Sequence, residues 1–190
     1  MSHGIDAPNV SAQIDPHTPG FLKPLARLLL WVNQAMVLLG MLGLLAASLV
    51  LTYSVVSRYL MQASTDWQDE AAVFCLVGAT FLCGAFVQSM RGHVGIEAIA
   101  GLLPRSFNAF RLVMVDLLGF LFCSFFSWKS WTLFHEAWAE GQTTSSSWAP
   151  PLWIPYGLMA LGMTLLALQL AVQLVACLNG FRLSQTKVTP

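Results

Sequence analysis

The sequence predicts an all-α integral membrane protein with four transmembrane helices and a short amphipathic surface helix between the second and the third. Of the 190 residues, 56% are hydrophobic and only 9% are charged, whereas charged residues make up about 25% of an ordinary soluble domain. Four stretches with few or no charges are long enough to cross the hydrocarbon core of a bilayer, which takes about 20 helical residues. The formal net charge is zero, so no bulk electrostatic field indicates nucleic-acid binding.

The first span is predicted over residues 29–57, after a polar N-terminal segment, 1–22, whose composition is typical of a disordered tail. The uncharged run is much longer than the roughly 7–15 apolar residues of a signal peptide, so we predict an uncleaved membrane helix. Gly43 and Ala47 stand four residues apart on this helix. This spacing allows two membrane helices to approach each other closely.

The second span is predicted over residues 67–90 and begins with the polar sequence Asp66–Glu70. It carries small residues at four-residue intervals, and these are Ala71, Cys75, Ala79 and Cys83, together with Thr80 and Gly84. Because a short loop joins the first two spans, we expect them to pack as an antiparallel pair through their small residues. The small-residue surface exceeds what one pair needs, which makes Ala79 and Gly84 candidates for contact with a second protein.

Residues 94–103 are predicted to form a helix that lies on the membrane surface. Apolar Ile96 and Leu103 fall on one face at helical spacing, while Glu97 points away from that face. The segment is too short to cross a bilayer and ends at Pro104.

The third and fourth spans are predicted over residues 107–135 and 152–180. The membrane domain then covers residues 23–182, and a short tail, 183–190, follows it. The third span contains Lys129, which the sequence places near its far end.

Three polar side chains fall inside the last two spans, and these are Asp116, Gln169 and Gln173. Gln169 and Gln173 are four residues apart and share a helix face. Buried polar groups in a membrane bond to protein rather than to lipid. The pattern leaves two kinds of partner open, either other helices of this chain or a second protein.

The distribution of basic residues favours a cytoplasmic N-terminus and a cytoplasmic C-terminus. In that orientation the cytoplasmic side holds seven lysines and arginines: Lys23, Arg27, Arg91, Arg105, Arg111, Arg182 and Lys187. The opposite side holds Arg58 and Lys129, and also the acids of Asp66–Glu70, Glu136 and Glu140. We expect these acids to form one polar rim on the outer face.

The sequence lacks the motifs of common catalytic and cofactor sites. It contains no Gly-rich phosphate loop, nucleophile motif or cluster with metal-ligand spacing. His93 and His135 are predicted at opposite membrane faces, which excludes a haem held between them. We therefore expect no enzyme activity and no cofactor. A membrane anchor for a redox enzyme and a small stand-alone carrier remain as alternative functions.

A set of short motifs is more specific than any single residue. The motifs are Arg58, Trp67-x-Asp69-Glu70, Arg91-Gly92-His93-Val94-x-Ile96-Glu97, Leu103-Pro104 and Pro151-x-Trp153-x-x-Tyr156. In this order they resemble the small membrane subunit of tripartite ATP-independent periplasmic (TRAP) transporters, the Q component or C4-dicarboxylate small permease family. The resemblance covers residues 25–180 as an order of elements. Asp69 stands where Glu is expected and Glu97 where Asp is commoner, and both keep the charge.

The resemblance implies a non-catalytic subunit in the bacterial inner membrane. In this family a large multi-span subunit holds the substrate and sodium sites and moves across the membrane, while the small subunit braces it as a static scaffold. A soluble periplasmic receptor delivers an organic anion, often a dicarboxylate, a 2-oxo acid or a sugar acid. The implied partners are therefore these two proteins and the lipid bilayer. Sodium coupling is expected in the large subunit, and Glu136 and Glu140 become candidates for contact with the receptor.

Overall fold

A computed structural model describes residues 18–61, 66–90 and 105–186. These residues form a short 3-10 turn and four helices: α1 (Lys23–Met61), α2 (Asp66–Ser89), α3 (Arg105–Ala139) and α4 (Trp153–Thr186). Each helix contains a stretch long and apolar enough to cross a membrane, which confirms the four predicted spans. The predicted surface helix over 94–103 lies outside the described residues, as do the motif residues Arg91, His93, Glu97 and Pro104.

α1, α3 and α4 extend beyond the apolar runs that predicted them. α1 has 39 residues and therefore rises about 58 Å, nearly twice the thickness of a hydrocarbon core. A run of apolar residues marks the part of a helix that lipid surrounds. The backbone hydrogen bonds continue past that boundary, because a helix satisfies its own backbone groups in water as well as in lipid.

The helices run alternately in opposite directions, which gives the molecule two distinct ends. At the loop end, α1 and α3 finish and α2 and α4 begin. Here the ring of Trp67 lies 6.4 Å from that of Trp148, and the ring of Trp138 lies 4.9 Å from that of Trp153. The tail end holds the start of α1 and α3 and the finish of α2 and α4.

The four helices pack as an open row in the order α1, α2, α4, α3. Among the described residues, extensive packing joins α1 to α2, α2 to α4 and α4 to α3, whereas α1 touches α4 only slightly. That slight contact lies at the tail end, where Ala26 and Leu29 pack with Val172. A closed bundle would also join the two outer helices. In this row, α1 and α3 each keep a flank that no other described helix covers.

Close backbone contacts hold α2 between its two neighbours. A Cβ atom on Gly40 of α1 would lie 2.5 Å from the Sγ atom of Cys83 and 3.5 Å from the Cα atom of Ala79. The packing of α1 against α2 through small residues confirms the predicted antiparallel pair. On the other side of α2, Gly162 of α4 lies directly against the backbone of Phe81. The contact at Gly162 requires glycine, because a side chain there would meet the backbone of Phe81 and push the two helices apart, whereas at Gly40 the Cys83 side chain would have to move.

Replacing Gly162 with alanine is expected to destabilise the protein. The new Cβ atom would lie 2.8 Å from the Cβ atom of Phe81 and closer still to its carbonyl group, and overpacking of this kind costs about 1–3 kcal/mol. Gly84→Ala is the matched control, since this glycine also lies between α2 and α4 but its nearest neighbour, a methyl group of Leu166, would be 3.9 Å away. Thermal unfolding in detergent, followed by circular dichroism, should show a lower Tm for Gly162→Ala. An unchanged Tm for Gly162→Ala would contradict this packing.

Candidate functional site

An ion pair at the loop end joins the first two motif elements. The guanidinium of Arg58, at the end of α1, lies 3.2 Å from a carboxylate oxygen of Asp69, near the start of α2. The hydroxyl of Ser54 donates a hydrogen bond to the other carboxylate oxygen of Asp69 at 3.3 Å. Both charged side chains are more than half exposed, so the pair contributes at most about 1 kcal/mol. Its role is to fix how α1 and α2 meet.

The residues on either side of Asp69 leave two buried acceptors unused. The amide oxygen of Gln68 and one carboxylate oxygen of Glu70 are buried without a hydrogen-bond partner among the described residues. An unpaired buried acceptor costs about 1–3 kcal/mol. The two motif acids therefore differ, since Asp69 bonds within the chain and Glu70 has an oxygen that does not.

The predicted outer rim is assembled at the loop end. Trp67 meets Trp148 edge to face, which places the start of α2 beside the loop that joins α3 to α4. Two backbone hydrogen bonds close that loop, one of them from the amide of Leu152 to the carbonyl of Gln142 at 2.9 Å. Glu136 and Glu140 are exposed at the end of α3. The two acidic segments therefore share one end of the molecule, as the sequence predicts.

A set of amide side chains links three helices near the tail end. The amide of Asn33 on α1 donates to the side-chain oxygen of Gln169 on α4 at 3.1 Å. Gln88 of α2 donates to the side-chain oxygen of Gln173 at 2.9 Å, and Gln173 in turn donates to the backbone carbonyl of Gln88 at 2.9 Å. These bonds lie within the chain, which is the first of the two arrangements that the sequence left open. They fix the register of α1, α2 and α4.

Asp116 of α3 lies at the same level and is buried, with 1% of its surface exposed. Gly119 faces Leu170, so Asp116, one turn nearer the tail end, is level with Gln173. Gln88, which Gln173 binds, is the second-last residue of α2. The carboxyl group therefore lies close to the tail-end boundary of the spans rather than near their centre.

The two small residues chosen as contact candidates lie against other helices of this chain. Ala79 is buried against Gly40 of α1, and Gly84 lies near Leu166 of α4. Contact of a second protein with Ala79, Gly84, Asp116, Gln169 or Gln173 stays a prediction.

Lys129 is an exposed cation at the middle depth of the spans. Ser127, two residues away along α3, shares a hydrogen bond of 2.8 Å with Thr164 of α4. Thr164 lies two residues from Gly162, which packs on Phe81 near the middle of the α2 span. This series of contacts places Lys129 level with the centre of α2. The sequence placed it near the far end of a span that stops at residue 135, but α3 continues to Ala139.

Among the described residues, the surroundings of Lys129 supply one partner for its charge. The ammonium group lies 5.3 Å from the centre of the Trp128 ring, a cation–π contact. No described Asp or Glu lies within ion-pair distance of it. A lysine at the centre of a membrane helix costs about 2.5–3.5 kcal/mol on insertion scales.

Sequence reasoning missed the partners Asn33 and Gln88 as well as the depth of Lys129. Asn33 and Gln88 are polar residues within apolar runs, and this pattern is enough to mark them as candidates for hydrogen bonds between helices. In the part of the chain that the structure describes, no group of three or more His, Cys, Asp and Glu residues is placed to hold a metal ion.

A comparison with known protein families finds a match. The family model described as "Tripartite ATP-independent periplasmic transporters, DctQ component" matches residues 47–180, which is more than half of the chain. The match begins in the second half of α1 and includes α2, α3 and most of α4. A comparison with curated proteins finds no match.

Proposed function

The chain belongs to the DctQ component family of tripartite ATP-independent periplasmic transporters, and we propose that it is the small membrane subunit that braces the large one. The family match across the spanning helices carries this proposal. The open row supports it, because a row of helices has uncovered flanks on which a larger membrane protein can pack. The polar residues near the tail end are consistent with a scaffold, since their hydrogen bonds hold this chain's own helices in register.

We assign binding of the transported substrate to the other subunits. We propose that an organic anion and sodium bind the large membrane subunit and that a soluble periplasmic receptor delivers the anion. This chain then needs no cofactor and catalyses no reaction. The rim at the loop end, with the exposed Glu136 and Glu140, is the surface proposed to meet the receptor, since exposed charges act mainly on the rate of encounter.

The proposed orientation places the loop end in the periplasm and the tail end in the cytoplasm of a bacterial inner membrane. Lys23 and Arg27 are exposed at the tail-end extension of α1, whereas Glu136 and Glu140 are exposed at the loop end. Basic residues near the ends of spans favour the cytoplasmic side. Lys129 counts for neither side because it lies at middle depth.

Reporter fusions test this orientation. Alkaline phosphatase, which is active only in the periplasm, is expected to be inactive when fused after Pro190 and active when inserted at Ser146. Green fluorescent protein at the same two positions is the control, since its fluorescence should show the opposite pattern. An active phosphatase at the C-terminus would contradict the orientation.

Uptake by reconstituted vesicles tests the proposed function. Vesicles that contain this chain together with the large subunit should take up the substrate when receptor and a sodium gradient are present, and vesicles with either membrane protein alone should not. In the same assay, the variant Glu136→Gln/Glu140→Gln should slow uptake most at low salt, because salt screens exposed charges. Matched amounts of both subunits in the vesicles are the control.

Transport by this chain without the large subunit would contradict the proposal and favour the stand-alone carrier. If the double variant supports the same uptake as the natural protein at every salt concentration, the rim is not part of the receptor-docking surface. The proposed scaffold function would be unaffected by that result.

A further inference from the structure

We propose that the face of α3 around Lys129 packs against the large membrane subunit, and that Lys129 there meets a carboxylate from one of its helices. This inference rests on the proposed function and names the surface through which it operates. The Lys129 face consists of exposed residues spaced three or four apart on α3: Leu118, Phe122, Phe125, Lys129, Thr132 and Glu136.

Lys129 lies well before the end of α3 on the loop side. α3 continues ten residues beyond Lys129 to Ala139, a rise of about 15 Å, and the first ionisable side chain in that direction, His135, is six residues away, a rise of about 9 Å. The Cα–Cβ bonds of a helix tilt towards its N-terminus. In α3 this direction leads away from the loop end, so the backbone does not help the ammonium group to reach the nearer boundary.

The apolar residues of the Lys129 face differ from those of a surface built for lipid. Phe122 and Phe125 are 64% and 57% exposed, and the neighbouring Trp128 is 65% exposed. Tryptophan in membrane proteins concentrates at the two interfaces with water, whereas Trp128 lies at middle depth next to Lys129. Exposed aromatic residues are also the type enriched where proteins bind each other.

The uncovered flank of α1 provides the comparison. At the same depth it exposes Leu38, Leu42 and Leu45, and no charged residue occurs between Arg27 and Arg58. Lipid chains can cover such an apolar surface, and it needs no protein partner. Of the two outer helices of the row, only α3 places an uncompensated charge in the membrane among the residues described.

The positive charge of Lys129 determines which chemical groups the partner helix must carry. The Trp128 ring offers a cation–π contact, but Lys129 has no described carboxylate within ion-pair distance. Lipid chains carry no group that binds an ammonium ion. A partner helix with Asp or Glu at middle depth supplies the missing charge, and its apolar side chains cover the exposed phenylalanines.

Site-specific photo-cross-linking in the assembled complex tests the location of this surface. Benzoylphenylalanine is placed at Phe125 on the Lys129 face and, as the control, at Leu42, which is 54% exposed on α1. After co-expression with the large subunit and illumination, the label at 125 should form a cross-link to the large subunit and the label at 42 should not.

Substitution of Lys129 tests the role of the charge. Lys129→Met should reduce the large subunit retained by a tag on this chain at least tenfold, while Lys129→Arg should retain more than half. When this chain is expressed without partners, the Met variant should reach the membrane at least as well as the natural protein, because a charge has been removed from the bilayer. This second measurement separates a lost contact from a failure to fold.

The outcomes distinguish the inference from the function on which it rests. If the natural chain retains the large subunit but Lys129→Met retains it equally and the label at 125 cross-links only to lipid, the Lys129 face is wrong and the scaffold function stands. If the natural chain does not retain the large subunit at all, both are wrong.

Discussion

The close approach of α2 to both of its neighbours is the constraint on which the rest of the structure depends. On one side Gly40 of α1 lies against Ala79 and Cys83, and on the other side Gly162 of α4 lies against Phe81. Membrane helices gain little from hydrophobic association, because lipid chains are as apolar as leucine, so tight packing through small residues provides much of their attraction. α2 thus becomes an inner helix of the row, and α1 and α3 become its two outer helices.

Polar contacts then fix the relative positions of helices that small residues bring together. Arg58 and Asp69 join α1 to α2 at the loop end, while Gln88 and Gln173 join α2 to α4 near the tail end. Interhelical hydrogen bonds in membranes average only about 0.6 kcal/mol. Their main effect is therefore to select one register among several that small residues allow. A helix array fixed at both ends in this way is consistent with the proposed role of a subunit that braces a larger one.

The sequence was sufficient for the number of spans and for the α1–α2 pair, because apolar length and small-residue spacing report these directly. It was not sufficient for the order of helices in the row. Surfaces that face lipid and surfaces that face another helix are both apolar, so hydropathy does not tell which helices are neighbours. The partners of Gln169 and Gln173 depend on that order, and for this reason the sequence left them open.

The depth of Lys129 escaped prediction for a different reason. The polar side chains of His135 and Glu136 predict the end of the third span, but α3 continues to Ala139 and its level is set by contacts with α4. The acidic rim was predictable because its members follow directly from the ends of the spans. The ion pair between Arg58 and Asp69 could not be predicted, because it depends on the angle at which α1 and α2 meet. No pattern in the sequence specifies that angle.

The central claim is that the four helices form an open row with α1 and α3 apart, and distances between spin labels test it most directly. Labels at Val56 of α1 and Leu133 of α3, with the four native cysteines replaced by alanine, report the separation at the loop end by double electron–electron resonance. The open row predicts a distance beyond about 20 Å, because α2 and α4 lie between the labelled helices at about 8–10 Å per neighbour. A label pair at Val56 and Val73, on neighbouring helices, gives the short reference distance. An α1–α3 distance as short as that reference would show a closed bundle and contradict the account.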